Sequence, residues 1–317
     1  MCKSRREDAD MGVLSSGKTL GMGVLKVRLG VGLRPGGGAA EFPKIVDELE
    51  AEGVDSLWLS EVVYGGNVDP MIGMAHALAR TTKLKVGTGV SVLPGRHPVL
   101  VAKQLATLAG LAPKRVLPVF GLRPARRDEW NLFPVPEGRR AAVFDESLRL
   151  LRLLLTEDNV SFDGEFFQVD GVSLAERPAR PLDIWVGGSA PAALRRVGRL
   201  ADGWLGSFVT PEQAKLHVET IKAAAAEAGR EVEEDHYGLS LAVAPDGIPP
   251  ALAKAAADRA PGVDPADLVA GSWDDARRLL DGYLDAGLSK FVLRPAGSTS
   301  WDEFLAKFLP LAEALHN

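Results

Sequence analysis

Short apolar segments and longer amphipathic segments alternate along the chain from residue 26 onward. The short segments are rich in β-branched residues, as strands are, while the long ones repeat apolar residues at helical spacing, for example Phe144, Leu148, Leu151 and Leu155. The alternation predicts eight strands, at residues 27–33, 54–59, the start of 87–108, 115–121, 183–187, 203–205, 236–244 and 290–293. A helix is predicted after each of them.

Capping residues mark several of the predicted helix ends. Asp69-Pro70 combines an N-cap with a proline at the first helical position, and Gly53 closes the helix predicted over residues 42–52. Thr210 with Gln213 forms a capping box, and Ser272 and Ser300 also precede helical patterns. These signals agree with the boundaries that the apolar pattern predicts.

Eight strand and helix units are the number found in a closed (β/α)8 TIM barrel, an α/β fold with a parallel sheet. Two stretches interrupt the alternation and predict insertions after strands 4 and 7. The first includes residues 160–169, which predict a hairpin turning at Asp163-Gly164, and the second is residues 245–271, rich in Ala, Pro and Asp. Residues 25–317 are therefore predicted to form a single domain.

Residues 1–24 lack helical or strand periodicity and are predicted to be a disordered tail. Gly12–Thr19 fits the P-loop pattern, but that motif needs a preceding strand and a following helix to direct its amides at phosphate. Neither is predicted here, so we interpret the match as chance.

Composition narrows the possible functions. The net charge of -5 gives no basic footprint for nucleic acid, and no apolar run reaches the roughly 18 residues of a membrane span. The single cysteine, Cys2, excludes a disulfide framework and agrees with a reducing cytoplasm. The histidines show no metal-ligand spacing, so no metal site is predicted.

In a parallel barrel, ligands bind beyond the carboxyl ends of the strands. The candidate residues at those positions are Arg34, Glu61, Gly89 to Leu93, Arg123, Gly187, Gly188, Ser189, Ser207 and Arg294. Gly187-Gly188-Ser189 precedes a helix, where free backbone amides and the helix dipole attract phosphate. An ordinary turn with Ser189 as N-cap fits the pattern equally well.

Three further segments carry charge at this end. Glu61 ends a buried strand, so its carboxylate needs a partner or a ligand. Arg96 and His97 precede Pro98, where holding the loop or capping the helix is favoured over catalysis. Arg123–Trp130 is a basic loop that either binds an anionic group or pairs with its own Asp128 and Glu129.

Two long stretches resemble the bacterial luciferase-like superfamily of flavin- and deazaflavin-dependent oxidoreductases, and its F420-dependent subgroup in particular. They are LKVGTGVSVLPGRHPVLVAKQLATLAGLAPKRV in the third unit and DIWVGGSAPAALRRVGRLADGWLGS across the fifth and sixth strands. The resemblance covers most of residues 27–315.

The resemblance implies a non-proline cis peptide in a bulge of the third strand, which supports one face of the coenzyme ring. It falls at or near Ser91-Val92, so that Gly89, Ser91 and Val92 become coenzyme-binding candidates. The phosphate site of the family matches Gly187, Gly188 and Ser189, and Glu61 matches the acidic residue beside the ring.

The chain also departs from the family. Val62 stands where many relatives have histidine, and Val119–Pro124 lacks the usual Gly-x-Gly run with an acid. The usual acid/base pair is therefore incomplete, with Glu61 as its remaining member.

The implied function is hydride transfer between F420 and a small organic substrate, with residues 245–271 and 123–136 closing as lids and Arg123 as a coenzyme ligand. The alternatives are an FMN-dependent monooxygenase served by a separate reductase, and a coenzyme-binding protein without turnover. A phosphate-ester isomerase or lyase would bring a lysine or a clear acid/base pair to the strand ends, and none is evident. The family also implies a homodimer.

Overall fold

The computed structural model describes residues 25–33 and 38–316. The predicted tail, the P-loop-like match at Gly12–Thr19 and the candidate Arg34 lie outside the described residues. Among the helices of the described part, not one combines the length and the apolar character needed to cross a bilayer.

Strands and helices alternate through the described residues as predicted. The strands are β1 (Arg28–Gly32), β2 (Ser56–Leu59), β3 (Lys85–Thr88), β4 (Ser91–Val92), β5 (Val116–Leu117), β6 (Val119–Gly121), β7 (Val160–Asp163), β8 (Gln168–Val172), β9 (Trp185–Gly187), β10 (Gly203–Ser207), β11 (Tyr237–Val243) and β12 (Lys290–Pro295). The α-helices are α1 (Phe42–Ala51), α2 (Pro70–Arg80), α3 (Pro98–Leu111), α4 (Arg140–Thr156), α5 (Pro191–Leu200), α6 (Pro211–Glu227), α7 (Pro250–Arg259), α8 (Trp273–Asp285) and α9 (Trp301–Leu315).

Ten of these strands form one parallel sheet, in the order β4-β6-β9-β10-β11-β12-β1-β2-β3-β5. Each of the eight predicted strand positions carries a parallel strand, and two of them are divided. The third consists of β3 and β4 on either side of Gly89-Val90, and the fourth of β5 and β6 on either side of Pro118, which has no N–H to donate. The result is an α/β fold with a curled parallel sheet.

Side-chain hydrogen bonds at the helix starts confirm the predicted caps. Asp69 accepts from the Ile72 amide at 3.0 Å, and Thr210 and Ser300 each form a complete capping box. Gly53, after α1, has the positive φ of 69° that glycine tolerates. The sequence therefore determines these boundaries locally.

The two interrupted stretches hold additional elements. A 3-10 helix, Arg127–Leu132, follows β6, and α4 then leads to the predicted hairpin, β7 and β8, which pair antiparallel. Glu146 on α4 is buried and accepts the amides of Glu165, Phe166 and Phe167, which fixes the hairpin turn against the helix. After β11, residues 245–271 include α7, so the partly helical character predicted there is confirmed.

The inner face of the sheet is layered. Register places Lys85, Trp185 and Lys290 near the amino ends of their strands, and these residues line a cavity of about 160 Å³ there. The middle layer is an apolar cluster of Trp58, Val119, Leu205 and Val292. This cluster separates the amino end from the carboxyl end, where the site candidates lie.

Candidate functional site

Small residues dominate the inner face at the carboxyl ends of the strands. By register, this upper layer contains Gly32, Ser60, Gly89, Gly121, Gly187, Ser207, Ala242 and Arg294. Most of them are partly exposed, in contrast to the buried layer below. We call this surface the upper mouth.

Two larger side chains fill the space that the glycines leave open. A Cβ at Gly121 would lie 2.6 Å from Val90 Cγ2, and one at Gly187 would lie 3.1 Å from Val90 Cγ1. A Cβ at Gly32 or Gly89 would lie 2.4 Å or 2.7 Å from the Arg294 guanidinium. These glycines therefore make room for Val90 and Arg294.

The cis peptide lies between Gly89 and Val90, two residues before the position at or near Ser91-Val92 that the resemblance implied. The Gly89 carbonyl accepts from Ser60 Oγ at 2.9 Å and from Arg294 Nη2 at 3.0 Å. Ser91 and Val92 are each 1% exposed, whereas Val90 is partly exposed. The bulge thus presents Gly89 and Val90 to the mouth.

Glu61 is buried and has protein partners on both oxygens. Oε2 accepts from the Val92 amide at 2.7 Å, and Oε1 accepts from Arg96 Nη2 at 2.5 Å. Burial raises the pKa of Glu61 above its ordinary value, although the Arg96 guanidinium acts in the opposite direction. The carboxyl group therefore ties the end of β2 to the loop after β4.

The other residues of that loop have the favoured structural roles. Arg96 also lies over the Phe133 ring, 5.2 Å from its centroid. His97 is the N-cap of α3, and its Nδ1 accepts from the Val99 amide at 3.4 Å. Arg96 as the partner of Glu61 was not predicted, because 35 residues separate them in the chain.

The start of α5 lacks a side-chain cap. Its N-cap is Ala190, so the alternative interpretation with Ser189 as N-cap is wrong. Trp204 Nε1 donates to the Gly188 carbonyl at 2.8 Å, and Gly188 has a φ of 113°. Because a trans peptide points its C=O and N–H in opposite directions, this bond turns the Ser189 amide away from the indole. Free backbone amides at a helix start remain available to an anion.

The two adjacent arginines of α5 differ in their surroundings. Arg196 is buried, donates to Asp145 and lies over the Phe144 ring. Arg195 is exposed on the first turns of the helix. A contribution of Arg196 to an anion site is therefore excluded by its internal pairing.

The basic loop after β6 divides between the two predicted roles. Arg126 pairs with Asp128 at 2.6 Å, as the solvated-loop interpretation expects. Arg123 is exposed, lies 4.5 Å from the centroid of Trp130 and has no acidic partner among the described residues. Glu129 is 1% exposed and accepts from the Tyr64 amide at 2.9 Å. Arg123 and the exposed Arg127, which lies 5.8 Å from the same ring centroid, are thus the basic residues of this loop that an anionic group can reach.

A cluster of acids and one histidine lies at the opposite end of the sheet. The ligand atoms of Glu233, Asp235 and His236 lie within 4.8 Å of one another, a proximity that the sequence spacing did not suggest. Asp235 is already paired with Lys290 at 2.9 Å, and the Glu233 side chain is 75% exposed. The cluster is remote from the upper mouth and separated from it by the apolar middle layer.

The upper mouth combines a glycine-rich surface beside a strand bulge with free amides at the start of α5. That combination defines a parallel α/β protein suited to a flat ligand that also carries an anionic group. The family model described as luciferase-like monooxygenase matches residues 22–286, and the chain belongs to this family.

Several named proteins are similar to this chain in sequence. An F420-dependent glucose-6-phosphate dehydrogenase of Nakamurella multipartita is 30% identical over 209 residues, which cover 62% of this chain and 61% of the relative. The matches to the first curated relatives span between 49% and 61% of the relatives' lengths.

Solved structures share the fold. An F420-dependent secondary alcohol dehydrogenase, in complex with an F420-acetone adduct, has a TM-score of 0.75 at 17% identity and covers 92% of this chain and 100% of its own. The FMN complex of a Baeyer-Villiger monooxygenase from Pseudomonas putida has a TM-score of 0.72 at 18% identity, with coverages of 92% and 98%.

Proposed function

We propose that the protein is an F420-dependent oxidoreductase that transfers a hydride between the deazaflavin and a small organic substrate. The observation that carries this proposal is the pairing, at one end of the sheet, of the Gly89-Val90 bulge with the uncapped start of α5. Family membership and the F420-dependent relatives support the same coenzyme.

The proposal includes a closed (β/α)8 TIM barrel in a single domain, with insertions after strands 4 and 7. The parallel pairings support closure, because β3 pairs with β5, β4 with β6, and β6 with β9. When each divided strand is counted once, these pairings join eight strands in a ring. The stretch from the 3-10 helix to the hairpin, and residues 245–271, would be the two insertions and would carry the predicted lids.

The residues of the upper mouth fit the coenzyme in two places. Gly89 and Val90 would support one face of the ring, since the bulge presents them, partly exposed, to the upper mouth. Gly187, Gly188 and Ser189 would bind the phosphate through backbone amides, with Arg123 near the anionic tail. Ser91 and Val92, predicted as ligands, would act through the backbone of the bulge because their side chains are buried.

The coenzyme supplies the hydride chemistry when it is bound, and the chain supplies orientation and electrostatics. Glu61 was predicted to be catalytic, but both of its oxygens are engaged, so we propose that it positions the bulge through Val92. Trp204 would hold the Gly188 peptide so that the Ser189 amide faces the phosphate.

FMN is the second candidate coenzyme, because a monooxygenase that shares the fold was solved with FMN. In that case a separate reductase would supply reduced flavin. A cytoplasmic location, which the single cysteine suggested, stays a prediction.

We further propose a homodimer that buries the exposed apolar residues of the neighbouring helices α2 and α3. Ile72, Leu100 and Leu111 are 69%, 67% and 75% exposed. Sedimentation equilibrium is expected to give twice the chain mass of 33.7 kDa, and a monomer would contradict the proposal.

Fluorescence titration of the purified protein with F420 and, separately, with FMN tests the coenzyme. We expect F420 to bind with a Kd in the micromolar range, which corresponds to a binding free energy of about -8 kcal/mol, and FMN to bind more weakly. Tighter binding of FMN would favour the FMN-dependent monooxygenase instead. Binding of neither coenzyme would refute both candidate functions.

A further inference from the structure

Arg294 crosses the upper mouth in a fixed position. Its side chain leaves the carboxyl end of β12, donates from Nε to Ser240 Oγ at 2.8 Å and from Nη2 to the Gly89 carbonyl at 3.0 Å. Gly32 and Gly89 lack the Cβ atoms that would collide with it. The guanidinium is therefore held directly against the cis-peptide bulge.

This cation has no counter-charge among the described residues. Its two acceptors are neutral, whereas the guanidiniums of Arg96, Arg152 and Arg196 face the acids Glu61, Asp202 and Asp145. A half-buried charge that faces only neutral acceptors carries a desolvation cost, which an anionic ligand at this position would offset.

The residues beside Arg294 on the neighbouring strands carry no charge. The neighbouring strands contribute Gly32, Ser60, Gly89, Ser240 and Ala242 to its layer. Acids at this end have other partners: Glu61 binds Arg96, Glu129 accepts from the Tyr64 amide, Asp69 accepts from the Ile72 amide, and Asp246 accepts from Ser298 and Thr299. Arg123 stacks on Trp130.

Burial lowers the pKa of Arg294 to about 10, so the group stays positively charged at neutral pH. Arg294 is partly exposed, so a ligand on the bulge can reach its remaining donors.

We infer that Arg294 is the counter-charge of the coenzyme ring, and that the upper mouth selects a ring system bound as an anion. The inference rests on the proposed binding of F420. The ring of F420 bears an acidic hydroxyl whose negative charge is delocalised across the conjugated system, whereas the ring of oxidised FMN is neutral at pH 7. The Arg294 guanidinium, which is hydrogen-bonded to the bulge, would stabilise the anionic ring of F420 but not the neutral ring of FMN.

The test is a pH titration of bound F420, because ionisation of the ring hydroxyl changes the visible absorption spectrum. In the wild-type protein the pKa of the bound hydroxyl is expected to lie about one unit or more below that of free F420. In Arg294→Met this shift is expected to vanish, and the Kd for F420 at pH 8 to rise about tenfold or more.

Two variants separate charge from structure. Arg294→Lys keeps the charge and Ser240→Ala removes a neutral partner, so both are expected to retain most of the spectral shift. Oxidised FMN has a neutral ring, so its Kd is expected to differ by no more than about twofold between the wild type and Arg294→Met. An equal Kd would show that the upper mouth of the methionine variant is still correctly formed.

The outcomes distinguish this inference from the proposed function. If wild-type protein binds F420 but its ring hydroxyl titrates as in free solution, or if Arg294→Met leaves the shift unchanged, the inference about Arg294 is refuted alone. If wild-type protein does not bind F420 at any pH, the proposed function fails as well.

Discussion

At the scale of residues, the upper mouth depends on a few side chains and on the absence of others. Val90 and Arg294 fill space that Gly32, Gly89 and Gly121 leave open. Trp204 fixes the peptide after Gly188 by a single hydrogen bond from the outer face of the sheet. A methyl group added at one of these glycines would therefore change the site more than the fold.

Replacing Gly188 by valine tests the phosphate end of the site. The φ of 113° disfavours a side chain, and a Cβ would lie 3.2 Å from Ala193 Cβ, at the start of α5. We expect G188V to stay folded and to lose F420 affinity by at least about tenfold, because the amides of the turn shift. Equilibrium titration measures the loss.

Gly287→Ala is the matched control for that variant. Gly287 has a positive φ of 90°, nothing lies within 4 Å of its added Cβ, and it precedes β12 at the opposite end of the sheet. We expect a comparable backbone penalty with unchanged affinity. Equal affinity in G188V and the wild type would remove Gly188 from the proposed phosphate site.

The buried carboxyl group of Glu61 predicts a pH dependence of stability. Burial raises its folded-state pKa above the ordinary value of 4.5, so the folded protein holds this proton more tightly than the unfolded chain. That stabilisation is complete below about pH 4.5 and is lost as the pH rises through the folded-state pKa. The unfolding free energy of the wild type minus that of E61Q is therefore expected to fall with rising pH.

Glu303→Gln provides a comparison of opposite sign. Hydrogen bonds from Ser300 lower the pKa of Glu303, so the contribution of Glu303 to the free energy of unfolding is lost as the pH falls. Denaturant unfolding at a series of pH values measures both differences. A wild-type minus E61Q difference that rises with pH would contradict the burial effect.

The sequence predicted some of these residues and missed others for a physical reason. Gly187, Gly188 and Glu61 follow strands directly, and position after a strand is visible in the chain. Arg96 as the partner of Glu61 and Ser240 as the partner of Arg294 depend on packing between distant units. The cis peptide was placed two residues late, since the local sequence does not fix the register of a bulge.

At the scale of elements, local chemistry was sufficient for most boundaries. The capping boxes at Thr210 and Ser300 and the N-cap at Asp69 all form as predicted. The division of the fourth strand at Pro118 was not predicted, although a proline inside an apolar strand is a signal for it.

The hairpin β7–β8 depends on one buried acid. Glu146 accepts three turn amides, so E146A is expected to lower the free energy of unfolding by roughly 1–3 kcal/mol. Hydrogen exchange at residues 165–167 is expected to accelerate more than elsewhere in the sheet. E146Q, which keeps one carbonyl oxygen, should lie between the wild type and E146A.

Unchanged exchange at residues 165–167 in E146A would show that the turn is held by other contacts. The Gly164 amide, which donates to the Phe167 carbonyl at 3.0 Å, is one alternative. The Arg139–Glu165 pair is another, and its exposure on both sides makes it weak.

At the scale of the whole molecule, the alternation of strands and helices predicted the α/β class and the parallel sheet before any contact was known. The layering of the inner face was not predicted, because it depends on which strands become neighbours. That layering matters for function, since the apolar middle layer separates the upper mouth from the charged cavity at the amino ends.

The carboxyl ends of the third and fifth predicted strands are proposed to bind one coenzyme together. A crystal structure of the protein with F420 tests it most directly. We predict the ring against Gly89 and Val90, with the phosphate oxygens about 2.7–3.2 Å from backbone N–H groups of Ser189, Ala190 or Ala192. A coenzyme bound in the cavity at the amino ends, or a phosphate away from the start of α5, would contradict the account.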